Sequence, residues 1–126
     1  MKLSFAYSTL FCSLLMLSFV GGKKMQWISD TSHDFGSIEQ GKTVVHTFIF
    51  QNTSQEPLTI DNVRTACGCT SPLWEEALIE PDSTGTIKLE FDATKIGYFQ
   101  KEAKVFFHGQ RKAERLTIMG EVVAPD

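Results

Sequence analysis

Cysteine is scarce in this chain: three residues among 126, at positions 12, 67 and 69. That excludes a disulfide-stapled scaffold and a structural zinc site built from cysteine alone, which takes four ligands. Basic clusters are absent, so nothing in the chain tracks a phosphate backbone and nucleic acid does not fit as a partner. The sequence has no Gly-rich phosphate cradle, no Ser-His-Asp spacing, no HExxH run and no Cys-x-x-Cys pair. The common sequence routes to a nucleotide site, a hydrolase or a dithiol enzyme are therefore missing. Helical periodicity finds no support over any long window, and only Trp74 to Ile79 reads as a short helical turn. Repeats, linkers and low-complexity segments are lacking too, and the length allows one domain.

What is present begins with a leader. Lys2 supplies a short positive region, Leu3 to Val20 carries no charge, and Gly21-Gly22 follows with Val20 three positions ahead of the scissile bond. This is the layout of a secretory signal peptide over residues 1–22, leaving residues 23–126 as the domain. The competing reading is an uncleaved anchor, since about 18 apolar residues just span a bilayer. Ser4, Ser8, Ser13 and Ser18 weaken that stretch and favour cleavage, after which no membrane insertion is expected. Phe11 is too bulky to precede a lipidated Cys12. Export to the periplasm or cell surface follows, with Cys67 and Cys69 carried into an oxidising compartment. Of 12 basic and 15 acidic side chains only Lys2 leaves with the leader, so the mature domain is mildly acidic.

Beyond the leader the period is two. Ile87, Leu89 and Phe91 alternate with charges; Phe99, Ala103, Val105 and Phe107 share a face, as do Leu116, Ile118, Gly120 and Val122. Lys101 interrupts the inward set of its segment and Phe106 the outward one. Turn residues at Gln40-Gly41, Asn52-Thr53-Ser54, Pro81 to Gly85, Ile96-Gly97 and His108-Gly109 separate the runs. Strands are predicted near 26–30, 34–38, 43–51, 57–66, 85–92, 98–107 and 114–123. About seven half-buried strands read as an antiparallel, immunoglobulin-like β-sandwich. Leu58 and Ile60 share a parity that Val63 breaks, which predicts a bulge near Asp61-Asn62 and turns Val63, Thr65, Cys67 and Cys69 to one face.

Cys67-Gly68-Cys69 is the one chemically suggestive element. As a staple it is weak: closing a three-residue loop is worth roughly 1.6 kcal/mol. Cysteines two apart also strain the preferred disulfide geometry, and strained bridges are more easily reduced. The pair reads alternatively as a Cu(I) site with His46 as third ligand, as a redox pair with Arg64 as the positive neighbour, or as two inert buried thiols. His46 shares its strand face with Val44, Phe48 and Phe50, so an imidazole bonded at the core edge is the plainer account. His33 and His108 read as solvated turn residues. Glu75, Glu76, Glu80 and Asp82 read as a solvated loop, and Asn52-Thr53-Ser54 as a turn in preference to a glycan acceptor. Trp74 either plugs one end of the sandwich or anchors a partner. No catalytic residue set emerges and no cofactor other than Cu(I) is suggested.

Asp34-Phe35-Gly36, Gly41 to Asn52, Glu56 to Ile60, Cys67-Gly68-Cys69-Thr70 and Ile79 to Gly85 with the strand ending Phe91-Asp92 together resemble an exported bacterial family, domain of unknown function 1573. The likeness runs from about Asp34 to Val122. It implies an immunoglobulin-like sandwich related to major-sperm-protein and Hydin-type modules, export, and no assigned activity. Two departures stand out: the lipidation cysteine of many relatives is lacking, and His108-Gly109-Gln110 replaces an Asn/Asp-rich turn. The expected role is a non-catalytic module of the cell envelope with an envelope protein as partner; the alternative is a thiol, disulfide or Cu(I) site.

Overall fold

The computed structural model describes residues 23–126, so the predicted signal peptide at 1–22 lies outside the described residues. Eight strands follow in order: β1 Met25–Trp27, β2 Ser32–Glu39, β3 Thr43–Asn52, β4 Ile60–Thr65, β5 Thr70–Trp74, β6 Thr84–Asp92, β7 Gly97–Phe107 and β8 Glu114–Val123. They form two four-stranded sheets, β1-β3-β6-β5 and β2-β8-β7-β4, packed as a sandwich. The all-β expectation holds, and among the described residues there is no helix long and apolar enough to cross a membrane.

The alternating residues do what their period demands. Phe48, Phe50, Ile87 and Leu89 from one sheet meet Ala103, Val105, Phe107, Leu116 and Ile118 from the other, all at or near zero exposure. Phe50 and Phe107 meet edge to face at 5.0 Å, and Trp27 closes on both at 5.9 and 6.3 Å. A ring of this size contributes about 1.5–3 kcal/mol by leaving water. Trp27 Nε1–H donates to Glu114 Oε1 at 3.1 Å, and Glu114 also takes Lys23 Nζ at 3.0 Å, so the indole's polar end is satisfied while its body is half-buried against the core.

Four expectations are corrected. Among the described residues there are eight strands: Thr70–Trp74 is the one not predicted, and β5 is a sheet edge, where the missing N–H of Pro72 is tolerated. The helical turn predicted from Trp74 to Ile79 is absent; β5 ends at Trp74, and Ile79 pairs in a bridge with Leu58. The sandwich is not wholly antiparallel, because β2 runs parallel to β8. Periodicity reports which face a side chain takes and carries nothing about strand direction. Finally His33, read as a turn residue, lies within β2.

The bulge predicted at Asp61-Asn62 is present: the β4–β7 register shifts between Ile60 and Asn62, and Val63 is buried. A second irregularity, not predicted, falls between Asp34 and Ser37 in β2. Gly36 sits there at φ +70°, and its N–H donates to Asp34 Oδ1 at 2.8 Å. That left-handed conformation is open to glycine at little steric cost.

Candidate functional site

The bulge in β4 decides where the cysteines go. Asn62 Oδ1 accepts the N–H of Val63 at 2.9 Å and holds the irregular step, after which Val63 and Thr65 face inward and the chain turns out of one sheet into the other. Cys67 and Cys69 lie in that turn between β4 and β5, and the structure joins them in a disulfide, Cα to Cα 5.3 Å. Both are half-buried, and Cys69 packs against the core. Thr65 Oγ1 donates to Thr70 O at 3.0 Å, Thr70 N–H to Cys67 O at 3.2 Å and Asp92 N–H to Cys69 O at 2.9 Å.

His46 is not part of this arrangement. It faces inward from β3, as expected, and its ring stacks on His33 of β2 at 3.7 Å with planes 7° apart. Phe35 and Phe48 meet it edge-on at 6.3 and 4.7 Å. Burial lowers the His46 pKa from 6.5, and the neighbouring His33 lowers it further, because a second positive charge there would meet the first. His33 is thus no solvated turn residue but half of an imidazole pair bridging the two sheets. Among the described residues no three His, Cys, Asp or Glu side chains converge as a metal site, so the set Cys67, Cys69 and His46 is not assembled.

Arg64, expected beside the thiols, instead points to the outer face, its guanidinium carbon 5.4 Å from the Phe106 ring centre. Lys101 is half-buried, between inward-facing Phe99 and Ala103. Trp74 ends β5 opposite Ile87 and packs against the core with Nε1 buried, the arrangement of a plug. Its neighbours Leu73 and Leu78 are the exposed apolar groups, at 52% and 63%. Glu75, Glu76, Glu80 and Asp82 are exposed, and His108 reaches Asp61 at 3.1 Å on the surface.

Two surfaces escaped the sequence reading. A shallow groove of about 490 Å³ lies beside the β2 bulge, lined by Asp34, Ser37, Tyr98, Gln100, Met119 and Glu121 among others. The outer face of the β1-β3-β6-β5 sheet carries Ile28, Val45, Ile49 and Leu73. The signal for the second was legible: Val45 and Ile49 hold outward positions in β3, where polar residues are the rule.

The family model described as a protein of unknown function, DUF1573, matches residues 26–122. Among solved structures the chain is similar to PapD-like domain 7 of human CEP192, at TM-score 0.70 and 12% identity, covering 82% of this chain and 87% of that one. It is similar to a protein of unknown function from Porphyromonas gingivalis W83 at TM-score 0.65 and 16% identity, over 78% of this chain and 46% of that one. The VesB protease of Vibrio cholerae matches at TM-score 0.62 and 16% identity, over 79% of this chain and 32% of that one. No curated protein matches. At these identities the likenesses show the fold alone.

Proposed function

We propose that this chain, which belongs to the DUF1573 family, is a non-catalytic binding module of the bacterial cell envelope. In this reading residues 1–22 direct export, and a partner protein docks on the outer face of the β1-β3-β6-β5 sheet. The observation that carries it is the placement of four large apolar side chains on that one face: Ile28 at 56% exposure, Val45 at 50%, Ile49 at 36% and Leu73 at 52%. Ile28 N–H donates to Ile49 O at 2.9 Å, which sets those residues side by side. Thr47 pairs with Lys88, and Lys88 with Leu73, so the face runs unbroken across β3, β6 and β5. Single exposed apolar residues are ordinary, but several gathered on one face mark an interaction surface. Lys88 and Glu90 stand within this face and supply charge for register and selectivity.

The test places a photo-crosslinking residue at Val45 or Ile49, with Lys104 on the outer face of the other sheet as control, in the native host. A discrete protein adduct at the first two positions, lost on Leu73→Lys, is expected. No adduct, or an equal one from Lys104, refutes the docking face.

A further inference from the structure

The Cys67–Cys69 bond joins two residues of one turn and ties no two elements of the fold together. The turn also has its own support. Thr65 Oγ1 holds Thr70 O, Thr70 N–H holds Cys67 O, and Asp92 N–H of the neighbouring strand holds Cys69 O. Each of these uses a hydroxyl or a backbone group, so all of them survive the loss of the sulfur–sulfur bond. Neither cysteine is enclosed, and both are within reach of solvent at the end of the sandwich. A bond that constrains little and can be removed without dismantling its surroundings is suited to exchange rather than to stapling.

The two sulfurs are not equivalent. Cys69 packs against the core, and its N–H donates to Cys67 Sγ at 3.2 Å. A thiolate formed on Cys67 therefore has a donor in place before it forms, and a hydrogen bond to the charged form favours that form.

We propose that Cys67–Cys69 is an exchangeable disulfide that accepts electrons from a dithiol, with the charge released in exchange held on Cys67 by the Cys69 N–H. One thiol of the dithiol loses its proton to solvent and attacks Cys69 Sγ. The sulfur–sulfur bond breaks, its electron pair leaves on Cys67 Sγ, and a mixed disulfide joins Cys69 to the dithiol. The second thiol of the dithiol then loses its proton, attacks its own partner sulfur and expels the Cys69 thiolate. Cys67 and Cys69 take up two protons; the dithiol departs as a disulfide, two electrons poorer. This step is independent of the docking face and stands or falls apart from it.

The experiment treats the protein, purified oxidised from its native host, with dithiothreitol or with reduced thioredoxin at neutral pH. Thiols are then trapped with a mass-tagged alkylating reagent while circular dichroism follows the strands. Both cysteines should become reactive with the strand signal unchanged. Faster reduction by thioredoxin at equal thiol concentration assigns the source to a protein dithiol, and faster reduction by dithiothreitol to a small one. Brief treatment with glutathione should leave its adduct on Cys69. A bond that resists both reagents until the domain unfolds, or whose reduction unfolds the domain, overturns the proposal. An adduct on Cys67 overturns the assignment of charge to Cys67.

Discussion

Asn52 is the sharpest place to test the packing. Its side chain is completely buried and every polar atom is used. Nδ2 donates to Glu56 O and Ile79 O, both at 2.8 Å, and Oδ1 accepts Ser54 N–H at 2.9 Å and the Ser54 hydroxyl at 2.7 Å. Its backbone N–H donates to Ser83 O and its carbonyl accepts Asp82 N–H, each at 2.9 Å. One residue thus ties the end of β3 to two loops, and its amide nitrogen is closed to a glycan. Asn52→Ala removes four side-chain hydrogen bonds. Ile79 O keeps Leu58 N–H, and Glu56 O takes the Ser54 hydroxyl proton released from Asn52, so neither acceptor is left bare. At about 1 kcal/mol net per bond, the expected loss is about 3–4 kcal/mol. That is a large share of the ~5–15 kcal/mol of an ordinary domain. It corresponds to a fall in Tm of about 12–25 °C for a chain of this size. Asn52→Asp keeps the shape but turns a carboxylate toward two carbonyl oxygens. At neutral pH it should cost at least as much as alanine, and it should recover as acid protonates the carboxyl. Equilibrium unfolding in urea, read by tryptophan fluorescence with matched m-values, measures both. A loss below about 1 kcal/mol for Asn52→Ala, or an Asp variant as stable as wild type at neutral pH, refutes the reasoning.

Two further outcomes are expected. A methyl group at position 85 would sit 2.5 Å from both Phe50 Cζ and Ile79 Cδ1, and Phe50 is fully buried. Gly85→Ala should therefore destabilise by about 1–3 kcal/mol in the same urea assay, whereas the exposed Gly68→Ala, with nothing near its Cβ, should shift far less. His46 makes stability fall in acid. The His46 pKa is depressed in the folded state, so below 6.5 the unfolded chain binds more protons than the folded one. Stability is full above 6.5 and is lost as pH drops through the folded value. His46→Phe keeps an aromatic ring against His33 and Phe48 but removes the titration, and should flatten that part of the pH–stability curve. An unchanged slope would show that other groups control it.

Much of the architecture was legible along the chain because a strand shows which way each side chain faces. The inward sets on β6, β7 and β8, the bulge at Asp61-Asn62 and the shared facing of Val63 and Thr65 all follow from parity, a local property with a period of two. The Asn52 turn was legible for a similar reason, since its bonds to Ser54 and Glu56 span only a few residues. The two half-buried cysteines could be located but not paired, because spacing alone leaves a bridge, a metal and free thiols all open.

Contacts between residues far apart in sequence were decided by the tertiary structure. The parallel partnership of β2 with β8 joins segments more than eighty residues apart, and only the closing of the sheet selects it. It also carries His33 across to His46, while the order of the other sheet makes an edge of β5, so that Pro72 is harmless there. Alternation told which residues face inward, since that depends on the backbone at each position. Which inward residues meet depends on the order of strands in two sheets, and that order is set by the free energy of closing one shared core.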